Sequence, residues 1–169
     1  MIILAIDPGS KKSGWAIVRA DPNVRTQYLA AGTMDNDPDA FFALRKIAWE
    51  WRALNQFAQV ALAVEMPEGM VYKPFLGPSL LQTTRVAGGM SWTAHGWGWK
   101  VIELSAAKVR KALVGKASSP KKGVMDKLIT EAVAANVDNM PKRSNVHCRD
   151  ALALGIVASW ELNKERGAA

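Results

Sequence analysis

Two carboxylates stand directly after or at the end of apolar segments in this 169-residue chain. A metal site explains a carboxylate at such a position better than packing does. Asp7 follows the run Ile2–Ile6, and Glu65 ends a second apolar run that begins near Gln59. Both runs have the length and composition of buried strands. If the two strands are neighbours, both carboxylates emerge at one edge of a sheet, where they can bind a divalent cation.

A third and a fourth candidate ligand lie near the other end of the sequence. His147 and Asp150 are three residues apart at the start of the last predicted helix, so both lie on one helical face. Two divalent ions about 4 Å apart, held by these four side chains, would stabilise the attacking water and the leaving oxygen of a phosphodiester. Taken singly, Asp7 could begin a turn, Glu65 could be a solvated strand end, and the last two could serve the helix N-terminus. Their joint occurrence favours the metal site.

Hydrophobic periodicity and turn residues predict the elements that must position these side chains. An α/β fold is expected, with a mixed five-stranded sheet, the first three strands antiparallel, and helices on both faces. A loop from Met66 to Pro78 follows the fourth strand, and a Gly- and Lys-containing segment connects Gly115 to Gly123. The predicted strands are Ile2–Ile6, Ser13–Ala20, Tyr28–Thr33, Gln59–Val64 and Lys100–Leu104. The predicted helices are Asp39–Phe57, Leu80–His95, a short helix capped by Ser105, Val124–Ala135 and one that begins near Val146.

Length and composition indicate one domain over residues 1–169, with a polar tail from about residue 163. The chain is 49% hydrophobic, yet no stretch approaches the roughly 18 apolar residues of a membrane helix. The apolar start is too short for a secretory signal, so a cytoplasmic location without a membrane partner is predicted. Cys148 is the single cysteine, which excludes an intramolecular disulfide and a four-cysteine zinc site.

The charge favours a polyanionic partner. The formal net charge is +7, and the stretch from Lys108 to Arg149 contains ten Lys or Arg residues against three acids. Phosphate neutralisation and counterion release would draw such a surface to nucleic acid. From charge alone, a merely solvated basic surface is an equal alternative.

The residues resemble the RuvC-type Holliday-junction resolvases of the RNase H-like superfamily over nearly the whole chain. Ile3-Leu4-Ala5-Ile6-Asp7-Pro8-Gly9-Ser10 with Gly14 is similar to the family's first motif, and Ala63-Val64-Glu65 to its second. His147-Cys148-Arg149-Asp150-Ala151-Leu152-Ala153 resembles the last motif, usually Asp-x-x-Asp-Ala, with histidine in place of the first acid. Some members carry this histidine.

The resemblance implies an endonuclease that resolves four-way DNA junctions by paired symmetric nicks. It implies two Mg²⁺ ions per site as the cofactor, and Mn²⁺ is expected to support activity as well because imidazole suits it better. Arg110 and Lys121, or Lys122 in place of the latter, resemble the family's basic residues near the scissile phosphate. Further candidate DNA contacts are Lys108, Lys111, Lys116 and Arg85, with Tyr72 or Phe75 as the aromatic that stacks on bases at the junction core.

The resemblance also implies a homodimer, since two strands of the junction must be nicked. The candidate interface is the helix Leu80–His95 with its small residues Ala87, Gly88 and Gly89. Packing within one subunit is the alternative for these residues. The sequence favours core or interface over base stacking for Trp92, Trp97 and Trp99, and identifies no branch-migration partner.

Three other functions compete with this interpretation. An ATP-binding protein of the actin and sugar-kinase architecture also begins with a strand and an Asp-x-Gly turn, but it needs two lobes. A P-loop is excluded at Gly115-Lys116, because Arg110 occupies the position of the required earlier glycine. A junction-binding module without catalysis is disfavoured by the four occupied ligand positions. Cleavage of other branched DNA or of RNA–DNA hybrids remains open within the enzyme class.

Overall fold

The computed structural model describes residues 1–21, 25–54, 59–67, 78–118, 123–139 and 145–167. These ranges contain six strands and five helices. The strands are β1 (Ile2–Asp7), β2 (Lys12–Arg19), β3 (Thr26–Asp35), β4 (Val60–Glu65), β5 (Lys100–Leu104) and β6 (Val137–Asp138). The helices are α1 (Pro38–Leu54), α2 (Pro78–Gly96), α3 (Ala106–Val114), α4 (Val124–Asn136) and α5 (Val146–Gly167).

All six strands belong to one sheet, in the order β5-β4-β1-β2-β3-β6. Strands β1, β2 and β3 are antiparallel neighbours, whereas β4 pairs with β1, and β5 with β4, in parallel. The central strand β1 is buried on both faces, which explains its unbroken apolar run. The fold class predicted from the sequence is confirmed.

The sheet separates two apolar layers, because successive side chains of a strand point to opposite faces. In β1, Ile2, Leu4 and Ile6 pack with α1 and α2, whereas Ile3 and Ala5 pack with α3, α4 and α5. The second face includes several small residues, which let a helix lie close to the sheet. They are Ala5, Ala16, Ala61 and Ala63.

Two features differ from the sequence-based expectation. A sixth strand, β6, pairs with only Thr26 and Gln27 of β3, too short to produce a hydrophobic pattern in the sequence. Helix α5 continues to Gly167, beyond the expected start of a polar tail near residue 163. Exposed ion pairs join this end of α5 to other elements, since Glu165 contacts Lys100 of β5 and Lys108 of α3 lies 3.4 Å from Glu161.

The three tryptophans near the end of α2 have different environments. Trp99 is buried, and Trp97 stacks on Phe41 with ring centroids 5.1 Å apart, so both belong to the core as expected. Trp92 is 82% exposed and lies outside the core of this chain. No helix in the described ranges is long and apolar enough to cross a membrane.

Candidate active site

Asp7 and Glu65 lie beside each other at the carboxyl ends of β1 and β4. The parallel register pairs Ile6 with Val64, and each acid is the next residue along its strand. Alternation along the strands places both acids on the same face as Ala5 and Ala63, which is the face covered by α5. The neighbouring strands on which the sequence-based expectation depended are therefore present.

Helix α5 brings His147 and Asp150 to this edge from a capped first turn. The Cys148 amide donates to Asn145 Oδ1 at 2.8 Å, and the Arg149 amide donates to the Asn145 carbonyl at 3.0 Å. This is the N-cap geometry that fixes where a helix begins. His147 Nδ1 then lies 3.7 Å from Asp7 Oδ2, with the imidazole side chain 55% exposed and the carboxylate 17% exposed.

Gly14 allows α5 to approach the sheet at the level of the acids. It pairs with Asp7 across β1 and β2. A Cβ atom built at this position would lie 2.2 Å from the carbonyl oxygen of His147, closer than any side chain tolerates. The absence of a side chain at Gly14 therefore sets the distance between the first turn of α5 and the strand that carries Asp7.

The turn after Asp7 is held by the end of β3. Ser13 Oγ donates to Asn36 Oδ1 at 2.5 Å, and Asn36 Nδ2 donates to the Gly9 carbonyl at 2.8 Å. The backbone at Gly9 is also close to Lys12, because a Cβ atom built at Gly9 would lie 2.2 Å from the Lys12 carbonyl oxygen. The backbone that follows Asp7 is thus anchored to a second strand, which keeps the carboxylate in place.

One cavity of about 300 Å³ is lined by three of the four candidate ligands. Asp7, Glu65 and Asp150 line it, together with Arg110 of α3. Burial raises the pKa of Asp7 above its usual value, and the nearby charge of Asp150 raises it further, whereas His147 and Arg149 oppose the rise. The carboxylates are thus held near one another in a partly desolvated space.

Arg149 is the most extensively bonded side chain of the cavity wall. It is 7% exposed, and its Nε and Nη2 donate to Asp150 Oδ1 at 2.9 and 2.7 Å. The same Nη2 donates to Asp126 Oδ1 at 3.0 Å, in the first turn of α4. Burial lowers the pKa of Arg149, but the bonds to the two carboxylates raise it above its ordinary value, so the residue is a permanent cation.

The donor set of the cavity fits a divalent cation. Its described lining includes four carboxylates and two guanidinium groups, an excess of two negative charges in a chain of net charge +7. Oxygen ligands with His147 at the rim are the chemistry that Mg²⁺ and Mn²⁺ accept. As the side chains stand, no group of three His, Cys, Asp or Glu residues in the described ranges is tight enough to hold a metal ion. In the structure Asp150 is bonded to Arg149, and His147 Nδ1 lies 3.7 Å from Asp7 Oδ2.

The predicted basic residues occupy different places. Arg110 lines the acidic cavity, whereas Lys108, on the same helix, contacts Glu161, and Lys111 and Lys116 are exposed. Arg85 lines a separate cavity between α1 and α2, on the other side of the sheet. The remaining predicted contacts lie outside the described residues. They are Lys121, Lys122, Tyr72 and Phe75.

The helix expected to form a dimer interface has an open side. Cβ atoms built at Gly88 and Gly89 would meet no atom of the described residues within 4 Å, whereas Ala87 is fully buried against the sheet. Leu81 and Trp92 are 42% and 82% exposed, respectively. Ala87 thus packs within the subunit, whereas the described part of the chain leaves the Cβ positions of both glycines open.

Three residues with a structural part in the site were not assigned one from the sequence. Arg149 stood inside a recognised motif, but nothing in the sequence pairs it with Asp126, 23 residues earlier. Asp126 resembled an ordinary acid in the first turn of a helix. Asn36 lies in a turn between β3 and α1, and its hydrogen bond to Gly9 spans 27 residues.

A mixed sheet whose central strand presents an aspartate beside a glutamate, faced by a helix with a further His–Asp pair, is the architecture of the RNase H-like fold. The particular family follows from comparison. Residues 3–158 match the family described as crossover junction endodeoxyribonuclease RuvC, and the chain belongs to this family. The predicted enzyme class, an endodeoxyribonuclease acting on crossover junctions, is confirmed, and membership implies a metal-dependent nuclease.

Individual relatives agree with this assignment. The crossover junction endodeoxyribonuclease RuvC of Zymomonas mobilis is 28% identical over 171 residues, which cover 99% of this chain and 95% of the relative. The solved structure of T. thermophilus RuvC in complex with Holliday junction substrate has a TM-score of 0.70 at 18% identity, covering 98% of this chain and 96% of that one. Another Thermus thermophilus RuvC structure has a TM-score of 0.63 at 20% identity and covers 96% of each chain. These structures share the fold of the present chain.

Proposed function

We propose that the cavity beneath α5 is where this chain cuts a strand of a four-way DNA junction, with Asp7, Glu65, His147 and Asp150 as cation ligands. The excess of acids in this one cavity of a basic protein is the observation that carries the proposal. An acidic cavity repels DNA unless a cation intervenes, whereas the net charge of +7 attracts it. A single nuclease domain over residues 1–169 and a cytoplasmic location stay predictions.

Magnesium is proposed as the resident ion, two per site, with Mn²⁺ as an active substitute. Carboxylate oxygens from Asp7, Glu65 and Asp150 suit both ions, and the imidazole of His147 suits Mn²⁺ better. Bound divalent cations supply an activated water nucleophile at neutral pH and Lewis acidity at the phosphate. Stronger cleavage with Mn²⁺ than with Mg²⁺ would support His147 as a ligand.

The remaining side chains act on the substrate and on the ligands. Arg110 places a guanidinium in the same cavity, where it can bind the scissile phosphate and stabilise the negative charge that grows on its oxygens. His147 contacts Asp7 at 3.7 Å and so holds the rim of the cavity against the central strand. Lys121, which lies outside the described residues, is proposed as a second phosphate contact. Lys108, Lys111 and Lys116 on the α3 side are proposed to hold the arms of the junction.

The test is cleavage of a labelled synthetic four-way junction beside matched duplex, flap and RNA–DNA hybrid, with Mg²⁺, with Mn²⁺ and with chelator. Paired symmetric nicks in the junction alone, lost with chelator, support the proposal. Cutting of the flap or hybrid in preference would keep the site and overturn the substrate. Tight junction binding without cutting under either metal would favour a non-catalytic module.

Asp7→Asn separates catalysis from binding. The variant is expected to bind the junction in chelator at least as well as the wild type, since it removes a negative charge from the cavity, but to cut it at least roughly 100-fold more slowly. Asp35→Asn is the matched control, because Asp35 is an exposed acid at the end of β3 paired with Lys12 at 3.6 Å. Normal cutting by Asp7→Asn would remove Asp7 from the proposed ligands.

We further propose that two copies pack through the open side of α2, so that two cavities serve the two strands to be nicked. Leu81, Arg85, Gly88 and Trp92 recur at helical spacing on this helix, and an apolar ring as exposed as Trp92 is typical of an interface. Trp92→Arg is expected to shift the protein from dimer to monomer in sedimentation equilibrium and to abolish paired nicks. Trp49→Arg on α1 is the control. A wild-type monomer would refute the dimer, and a dimeric Trp92→Arg would refute this interface.

A further inference from the structure

The buried Arg149 has a bonding pattern that packing alone does not explain. Two of its N–H groups reach the same oxygen of Asp150, Oδ1, at 2.9 and 2.7 Å. The second carboxylate oxygen, Oδ2, is not used by Arg149. A guanidinium that held the carboxylate as a conventional pair would contact both oxygens through its planar fork.

The other donors of Arg149 reach a different helix. Nη2 donates to Asp126 Oδ1 at 3.0 Å, and Nη1 lies 3.3 Å from the Asp126 carbonyl and 3.4 Å from Thr130 Oγ1. The acceptor atoms of all three contacts belong to the first two turns of α4. Because burial of a guanidinium is unfavourable without such partners, the bonds fix both its position and the spacing of α4 and α5. Asp126 lines the cavity beside Asp150, so the bonded group forms one wall of it.

We propose that Arg149 is a positioning residue for the metal site: it holds Asp150 by Oδ1 so that Oδ2 is presented to a cation, and it fixes this arrangement through Asp126 of α4. The inference rests on the proposed function of the cavity, and it adds a residue that the four-ligand description does not contain. Partners that orient a ligand in this way commonly change metal affinity by roughly 10–100-fold when removed.

The sign of the effect distinguishes positioning from simple electrostatics. Loss of a positive charge from the cavity wall makes the site more negative, so Coulomb attraction alone predicts tighter binding of a divalent cation to Arg149→Met. If Arg149 merely competes with the cation for Asp150, its removal frees the carboxylate and also predicts tighter binding of the cation. A positioning role predicts weaker binding, because Asp150 is then free to adopt other rotamers.

The experiment is a titration of the intact protein with Mn²⁺ in the absence of DNA, in which isothermal calorimetry measures the binding. Arg149→Met is expected to weaken Mn²⁺ binding by roughly 10–100-fold. Arg149→Lys, which retains the charge without the planar fork, is expected to remain weak, and Asp126→Asn is expected to have a smaller effect because Arg149 still contacts Asp150. Lys127→Met is the matched control, since it removes one positive charge beside Asp126 but pairs with Glu131 instead.

Further variants keep the result interpretable. In an Asp150→Asn background, Arg149→Met is expected to change Mn²⁺ affinity no further, because the ligand that it positions is already altered. If Arg149→Met does not fold, Arg149→Lys and Asp126→Asn carry the test, with circular dichroism as the check of folding. Unchanged or tighter Mn²⁺ binding by the folded Arg149 variants overturns the inference. Absence of Mn²⁺ binding by the wild type would instead overturn the proposed function.

Discussion

Replacement of Gly14 by alanine should separate the two halves of the candidate site without replacing any proposed ligand. The new Cβ would lie 2.2 Å from the His147 carbonyl oxygen and 2.8 Å from the His147 Cβ, whereas Cβ contacts below 3.0 Å are essentially never seen. The nearest atoms on the helix are the backbone carbonyl atoms of His147, so no flexible side chain can move aside to relieve the contact. The first turn of α5 must therefore retreat from β2, and with it from the neighbouring Asp7 of β1, by about 1 Å.

The magnitude follows from this displacement. Overpacking of a close contact costs about 1–3 kcal/mol of folding free energy, and each kcal/mol lowers the melting temperature by about 2–4 °C in a domain of this size. A ligand pair misplaced by about 1 Å lowers the cleavage rate by about 100-fold. We expect Gly14→Ala to fold with reduced stability and to lose most of its junction cleavage.

The assays are urea unfolding and single-turnover cleavage of a four-way junction at saturating protein. Gly155→Ala is the control on α5 itself, because its Cβ would lie 3.1 Å from Val18 Cγ2 and 3.3 Å from Ala5 Cβ, so the packed elements need to give way by only a few tenths of an ångström. The control should retain cleavage within a few fold. Wild-type stability and cleavage in Gly14→Ala would refute the argument that this glycine sets the approach of α5.

Three further predictions concern the charge and the core around the site. Because burial and the charge of Asp150 raise the pKa of Asp7, its contribution to folding is present at low pH and is lost as the pH rises through that pKa. In metal-free protein, the melting temperature of Asp7→Asn relative to the wild type should therefore increase from about pH 4 towards neutrality, and a constant difference would contradict this. Burial also raises the pKa of the Cys148 thiol, so a thiol reagent should modify the native protein only slowly, and prompt labelling would be inconsistent. Ser159→Ala should cost about 1 kcal/mol in urea unfolding, because this buried hydroxyl donates to the Ile156 carbonyl at 2.7 Å and lies 3.1 Å from Thr26 Oγ1; the exposed Thr93→Ala should cost less.

Much of the fold could be predicted because its signals are local. The apolar run before Asp7 predicted a buried strand, and Ser105 predicted the start of α3, whose cap accepts from the Lys108 amide at 3.2 Å. The strand β6 gave no such signal, since two residues cannot show alternation. The continuation of α5 was also missed, because residues such as Glu165 are polar in the sequence, and its partner Lys100 lies on another element.

For the candidate site, too, the local features could be predicted from the sequence, whereas the contacts between distant residues could not. The sequence by itself determined which residue types stand at the strand ends and that His147 and Asp150 share a helical face, because strand and helix periodicity extend over a few residues. Only the tertiary structure decided that Asp150 is held by Arg149 and that Arg149 reaches Asp126 across 23 residues. Only the structure placed Gly14 against the backbone of His147. Contacts of this kind depend on how a helix packs on a sheet, and that packing is settled by the whole core at once and not by any neighbouring residues in the chain.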